Sequence, residues 1–174
     1  MANFNLYFPH LLIYEGGYVD NPNDKGGPTK YGVTLANWIK YGYDKDNDGD
    51  IDKVDLKTIT VEDASKIAKK YYWDNVKGDL INSQSVAEFI ADWAYNSGTS
   101  TAIKKTQKLL GLIDDGIIGP KTLLAINSAD PKTLFERLKA SRTAFVRAIV
   151  ENNPKQGVFL KGWENRINSF KFNG

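Results

Sequence analysis

Residues 83–97, with the sequence SQSVAEFIADWAYNS, carry apolar side chains at the spacing of an α-helix. Val86, Phe89, Ile90, Trp93 and Ala94 fall on one stripe of such a helix. A helix with an apolar stripe of this kind packs that stripe into the protein interior. We therefore predict a central buried helix that connects the two halves of the chain.

Helical spacing continues on both sides of this segment, and strand-like alternation is nearly absent. Apolar residues recur in this way over 4–12, 35–39 and 64–72. Beyond residue 97 the pattern predicts a helix near 100–110, a short helix opened by Pro120, and a long helix from Pro131 to about residue 152 with Asp130 as its N-cap. The fold class predicted from these patterns is mostly α.

Composition limits the classes of function that need to be considered. The chain has 174 residues, 41% of them hydrophobic, which is enough for one domain with a real core. The 23 basic and 21 acidic residues give a net charge of +2, so no field strong enough to indicate a nucleic-acid partner is present. The chain has no cysteine, which excludes disulfides and thiolate metal sites.

An acidic residue follows an apolar run in LLIYEGGYVDNPNDKGGPTKYGV, residues 11–33. A general acid for glycoside cleavage must stay protonated near neutral pH, and the apolar residues 11–14 can provide the setting that Glu15 needs. Gly16 and Gly17 allow a polysaccharide to approach the backbone closely. Asp24 is a candidate second carboxylate, and the Thr29 hydroxyl can hold a water or a sugar. The alternative interpretation is a surface glutamate at a helix end followed by ordinary turn residues.

The run EGGYVDNPNDKGGPTKYGVT resembles the N-terminal signature of glycoside hydrolase family 108, a family of bacterial and phage N-acetylmuramidases related to lysozyme. The resemblance continues through YYWDNVKGDLI and DWAYNSG and implies a lysozyme-like helical fold. It also implies that Glu15 is the essential acid. The arrangement of Glu15, Asp24 and Thr29 is similar to that of phage-type lysozymes, although the gap from Asp24 to Thr29 is one residue shorter. Residues within the matched segments are the candidates for substrate binding: Tyr18, Tyr31 and Asn96.

Residues 44–55, DKDNDGDIDKVD, fit the twelve-residue pattern of an EF-hand calcium loop. The candidate ligands alternate along the loop: Asp44, Asp46, Asp48, Asp50 (through its backbone carbonyl), Asp52 and Asp55. Gly49 occupies the position of the sharp turn, whereas Asp55 replaces the usual bidentate glutamate. We expect one structural calcium ion that braces the loop. The alternative is a solvated acidic turn, but six aspartates this close together would repel one another without a cation.

Residues 106–127, TQKLLGLIDDGIIGPKTLLAIN, resemble the repeat of peptidoglycan-binding modules. The same residues also predict two helices joined by a tight turn at Gly116 and Gly119. We accordingly predict a lysozyme-like catalytic region over 1–97 and a peptidoglycan-binding-like region over 98–174, packed into one compact body.

These features predict a muramidase that cleaves bacterial peptidoglycan, with Glu15 as general acid. The second hypothesis is a non-catalytic peptidoglycan-binding or secretion-associated protein with the same fold. The start of the chain lacks the basic region of a signal peptide, and no run approaches a membrane span. We expect synthesis in the bacterial cytoplasm, action as a monomer at the cell wall, and release by an unidentified route, as for a phage or prophage endolysin or a bacterial autolysin.

Overall fold

The computed structural model describes residues 1–20 and 27–173, and over these residues the chain is mostly helical, as predicted. The α-helices are α1 (Phe4–Tyr14), α2 (Leu35–Tyr41), α3 (Lys53–Thr58), α4 (Val61–Ala68), α5 (Gln84–Ser97), α6 (Thr99–Leu109), α7 (Pro120–Ser128), α8 (Pro131–Asn152) and α9 (Gly157–Ser169). A π-helical turn spans Lys69–Trp73, and two 3₁₀ turns span Gly78–Leu80 and Pro154–Gln156. Two short strands, β1 (Thr29–Lys30) and β2 (Val33–Thr34), form an antiparallel hairpin.

The chain forms two compact units. The N-terminal unit comprises residues 5–71, and the C-terminal unit comprises residues 1–4 and 72–174. The N-terminal unit contains the acidic loops, whereas the C-terminal unit contains the long helices α5 to α9. No helix within the described ranges has the length and apolar character needed to cross a bilayer.

The predicted buried helix is confirmed as α5, which packs against α6 and α8 within the C-terminal unit. That it connects the two halves of the chain stays a prediction. Its burial is more extensive than the predicted stripe, because every residue from Ser85 to Ala94 is buried. The buried stretch therefore includes the carboxylates of Glu88 and Asp92, and buried charges need partners.

The predicted long helix is also confirmed. α8 runs from Pro131 to Asn152, and the Asp130 carboxylate accepts the Thr133 N–H at 2.8 Å as the predicted N-cap. Pro131 occupies the first position of the helix, where the missing N–H costs nothing. α7 begins at Pro120 for the same reason.

Candidate active site

Glu15 lies immediately after the last residue of α1. Its N–H donates to the Leu11 carbonyl at 3.2 Å, which continues the helical pattern by one residue, and Glu15 itself is half-buried. The expected apolar setting is correct for Leu11, which is buried, but wrong for Ile13 and Tyr14, which are 74% and 41% exposed. The last turn of α1 therefore leaves much of these two side chains in contact with solvent.

Thr29 lies on the hairpin that packs against the Glu15 loop. The N–H and carbonyl of Thr29 exchange two hydrogen bonds of 2.8 Å with Val19, and the Tyr31 N–H donates to the Gly16 carbonyl at 3.0 Å. The hairpin turns at Tyr31 and Gly32, whose φ angles of 50° and 74° are both positive, as a type I′ turn requires. The backbone therefore brings together the loop that carries Glu15 and Tyr18 and the hairpin that carries Thr29 and Tyr31.

Asp24 lies outside the described residues, so its predicted role stays a prediction.

Tyr18 is half-buried on the Glu15 loop, and its hydroxyl donates to Asp20 at 3.3 Å. Partial desolvation, and after it the neighbouring Asp20 charge, raise the pKa of the Tyr18 phenol. Tyr18 therefore stays a neutral hydroxyl across the physiological pH range, with an aromatic face suited to a pyranose ring.

Asn96 belongs to the C-terminal unit, where it lies in the last turn of α5. Its side-chain amide donates to the Asp92 carbonyl at 2.8 Å, one turn earlier on the same helix. Asn96 is exposed and lines a cavity of about 110 Å³ together with Arg142, Trp163 and Arg166. A polar amide at the rim of a cavity with an aromatic wall is a suitable contact for a glycan.

A buried charge cluster supports this part of the C-terminal unit. The Asp92 carboxylate on α5 is fully buried and accepts hydrogen bonds from Arg142 on α8 at 2.9 Å and from Arg166 on α9 at 2.7 and 3.1 Å. One carboxylate therefore links three helices. This cluster was not predicted from the sequence, although an aspartate within an otherwise apolar helical segment was a signal for it.

The acidic loop 44–55 connects α2 to α3. Gly49 has the φ angle of 102° that its position in the loop pattern requires, and its N–H donates to the Asp44 carboxylate at 3.0 Å. Carboxylate oxygens of Asp44, Asp46 and Asp48 lie within 4.8 Å of one another, and those of Asp50, Asp52 and Asp55 form a second set of this kind.

The crowding of negative charge helps to raise the pKa of two aspartates in the loop. The Asp48 charge is the main cause that raises the pKa of Asp50, and partial desolvation with the surrounding charges raises the pKa of Asp46. Asp55 differs, because it is buried and accepts the backbone N–H groups of Asp52 at 2.9 Å and Lys45 at 2.6 Å, which lower its pKa.

The Lys45 side chain forms its ion pair outside the loop 44–55. Its ammonium donates to the Asp63 carboxylate of α4 at 2.7 Å. Burial raises the pKa of Asp63, but the Lys45 ammonium, the N–H and hydroxyl of Thr60 and the Tyr43 hydroxyl together lower it to about 2. Lys45 thereby ties the acidic loop to the start of α4.

The repeat-like motif of residues 106–127 is held by one buried amide. The Gln107 side chain donates to Asp115 at 2.8 Å, to the Ile117 carbonyl at 3.0 Å and to the Thr122 hydroxyl at 3.1 Å, and it accepts the Gly116 N–H at 3.0 Å. The predicted tight turn is confirmed at Gly116, whose φ is 81°. The polar residues of the motif therefore fix the connection between α6 and α7.

Comparisons with known proteins identify the class of protein to which this chain belongs. The family model described as glycosyl hydrolase 108 matches residues 8–98, and a model described as a predicted peptidoglycan domain matches residues 101–168. The chain therefore belongs to the glycosyl hydrolase 108 family, which confirms the resemblance predicted from residues 15–34.

Among solved structures, the chain is similar to SagA from Brucella abortus, with 33% sequence identity and a TM-score of 0.83 over 96% of this chain and 90% of that one. No curated protein sequence shows significant similarity to this chain. The two family matches support a glycoside hydrolase that has peptidoglycan as its partner, and the helical fold is consistent with a lysozyme-like protein.

Proposed function

We propose that the protein is an N-acetylmuramidase that cleaves the β-1,4 bond between N-acetylmuramic acid and N-acetylglucosamine in peptidoglycan. The observation that supports this most is the position of Glu15 at the end of α1, where backbone hydrogen bonds join its loop to the hairpin of Thr29 and Tyr31. The Glu15 loop lies within residues 8–98, the segment that matches the glycosyl hydrolase family.

Glu15 acts in this proposal as the general acid that protonates the leaving glycosidic oxygen. Asp24 stabilises the oxocarbenium-like transition state or positions the attacking water. The Thr29 hydroxyl holds that water or a sugar hydroxyl, and Tyr18, Tyr31 and Asn96 contact the glycan. Residues 1–97 form the catalytic region and residues 98–174 the peptidoglycan-binding region. The protein acts as a monomer at the cell wall, as an endolysin or an exported autolysin.

The test is release of reducing sugars from purified peptidoglycan, with identification of the new ends. The wild type should release muramic acid ends, and Glu15→Gln should lower the rate about 10²- to 10⁴-fold, the usual contribution of a positioned general acid. Glu62→Gln is the matched control, because Glu62 is an exposed glutamate of the same unit that pairs with Lys66, and its rate should not change.

Different outcomes separate the competing functions. Near-normal rates for Glu15→Gln would contradict the assignment of the acid, and glucosamine ends would contradict the muramidase. A folded wild type that sediments with peptidoglycan but releases no sugar from several peptidoglycan types would support the non-catalytic binding protein, which the match over 101–168 favours as the second candidate.

We propose in addition that the loop 44–55 holds one structural calcium ion. The chemistry of the donors fits a hard cation, because the Asp44, Asp46 and Asp48 carboxylates converge while Lys45 is turned toward Asp63. Asp50 supplies its backbone carbonyl, and Asp52 and Asp55 complete the set of ligands. The ion would remove the repulsion among these carboxylates and brace the connection from α2 to α3.

Thermal unfolding tests this calcium proposal. Calcium at about one hundred times its dissociation constant should stabilise the protein by about 2.7 kcal/mol, and a chelator should reverse the effect. Asp48→Asn should reduce the calcium-dependent rise in Tm, whereas Asp74→Asn, outside the loop, should retain it in full. A wild-type Tm that is unchanged by chelator and by added calcium would refute a structural ion.

A further inference from the structure

Two lysines lie against the two tyrosines of the candidate site in the N-terminal unit. The Lys57 ammonium is 5.3 Å from the centroid of the Tyr18 ring, and the Lys30 ammonium is 5.4 Å from that of Tyr31. Lys30 also donates to the Lys57 carbonyl at 2.5 Å. These four residues, Tyr18, Lys30, Tyr31 and Lys57, form what we name the basic-aromatic patch.

The patch is contiguous with the Glu15 loop. Tyr18 is on that loop, and the Tyr31 N–H donates to the Gly16 carbonyl next to Glu15. Lys30 belongs to β1, which contacts α3, and its bond to the Lys57 carbonyl fixes it against the last turn of that helix. The patch therefore adjoins the loop that carries Glu15.

The patch has an excess of positive charge. Among the residues that the structure describes, neither Lys30 nor Lys57 lies within ion-pair distance of a carboxylate, whereas Lys45 and Lys66 each pair with one at 2.7 to 2.8 Å. Asp20 is an acid of the same loop, and it accepts a hydrogen bond from the Tyr18 hydroxyl. Each ammonium has three donors, and Lys30 uses one of them on the Lys57 carbonyl. With respect to the described residues, both lysines thus retain donors for an external anion.

We propose that the basic-aromatic patch binds free carboxylates of the peptidoglycan strand and makes the protein selective for acidic glycan over neutral glycan. Stem peptides on muramic acid carry such carboxylates, whereas a polymer of N-acetylglucosamine alone carries none. Tyrosine faces pack on the sugar rings while the ammonium groups bind the acids. This inference rests on the proposed function, because it places the scissile bond at Glu15.

The test compares Lys30→Gln, Lys57→Gln and the double variant on peptidoglycan freed of phosphate-containing wall polymers. An exposed ammonium–carboxylate pair corresponds to an effect of about two- to fivefold, so KM should rise by that factor for each lysine, with kcat little changed. Lys66→Gln removes the same charge elsewhere in the unit and should leave KM unaltered. Lys30→Arg should restore binding, which separates charge from the structural role of Lys30.

Chemical amidation of the peptidoglycan carboxylates provides the decisive comparison. It should raise the KM of the wild type to the value for the double variant and leave the double variant unaffected. Equal effects of amidation on both proteins would overturn the proposal. A lysine effect that occurs only on walls that retain phosphodiester polymers would overturn it in favour of phosphate as the ligand.

Cosedimentation with peptidoglycan at low salt distinguishes this proposal from the proposed function. If the wild type cleaves no substrate but its binding depends on Lys30 and Lys57, the muramidase is wrong and the patch is correct. If neither the binding nor the KM changes when Lys30 and Lys57 are replaced, the proposed role of the patch is wrong, whether or not Glu15 catalyses cleavage.

Discussion

Replacement of Asp92 by asparagine is expected to lower the free energy of unfolding by about 3 to 5 kcal/mol, the usual cost of removing one partner from a buried ion pair. The side chain keeps its shape, but the negative charge that binds two guanidinium groups is lost. The Asp92 carboxylate is fully buried, and it contacts Arg142 and Arg166 at 2.7 to 3.1 Å. In the variant, water therefore cannot compensate the two guanidinium charges that lose their partner.

The corresponding change in Tm follows from the size of the chain. An entropy of unfolding of about 2.1 cal/mol/K per residue gives about 0.37 kcal/mol/K for 174 residues. The expected loss therefore lowers Tm by about 8 to 14 °C. Urea titration followed by far-ultraviolet circular dichroism and by tryptophan fluorescence measures the same loss as a shift in the midpoint at constant slope.

Glu164→Gln is the matched control for this change. Arg147 and Glu164 form a 2.7 Å ion pair between the same helices α8 and α9, but their side chains are 61% and 27% exposed. An exposed pair contributes at most about 1 kcal/mol, so this variant should remain close to the wild type. A loss below about 1 kcal/mol for Asp92→Asn, or equal losses for the two variants, would show that the buried Asp92 carboxylate is not a major source of stability.

Two further predictions concern pH and packing. Because the folded pKa of Asp63, about 2, lies below its usual 3.8, its stabilisation of about 2 kcal/mol is present above about pH 4 and is lost as pH falls toward 2. Urea midpoints measured from pH 7 to pH 2 should therefore fall more steeply for the wild type than for Asp63→Asn, and parallel curves would contradict this account. Gly78→Ala should cost about 1 to 3 kcal/mol, because its new methyl group would overlap the buried Trp73 indole. In thermal melts, Gly162→Ala serves as the control, since open space surrounds that position in α9 and no loss is expected there.

Local signals in the sequence predicted the elements and their caps. The periodicity of residues 83–97 and the placement of Asp130 before Pro131 each depend on residues a few positions apart, and both features occur in the structure. The β1–β2 hairpin was not predicted. Its turn places Tyr31, a residue without the usual preference for positive φ, at a position that asparagine or glycine normally fills.

The burial of individual side chains was harder to predict than the secondary structure. The apolar residues that precede Glu15 suggested a shielded carboxylate, but burial depends on which side of α1 faces the interior. Leu11 faces inward, whereas Ile13 and Tyr14 face solvent. Which side chains are buried depends on tertiary packing, and the residues adjacent in sequence do not determine it.

The partners of a buried charge were the hardest feature to predict from the sequence, because they are distant from it along the chain. Asp92 is 50 residues from Arg142 and 74 from Arg166, so no local pattern could pair them. The pairing nevertheless bears on a residue that the sequence did single out, since the Asn96 amide binds the Asp92 carbonyl one helical turn away. The helix end that presents Asn96 is thus held by a charge cluster in the interior of the C-terminal unit. Loss of that cluster should disturb the Asn96 contact as well as the stability, which makes Asp92 a positioning residue for the proposed glycan site.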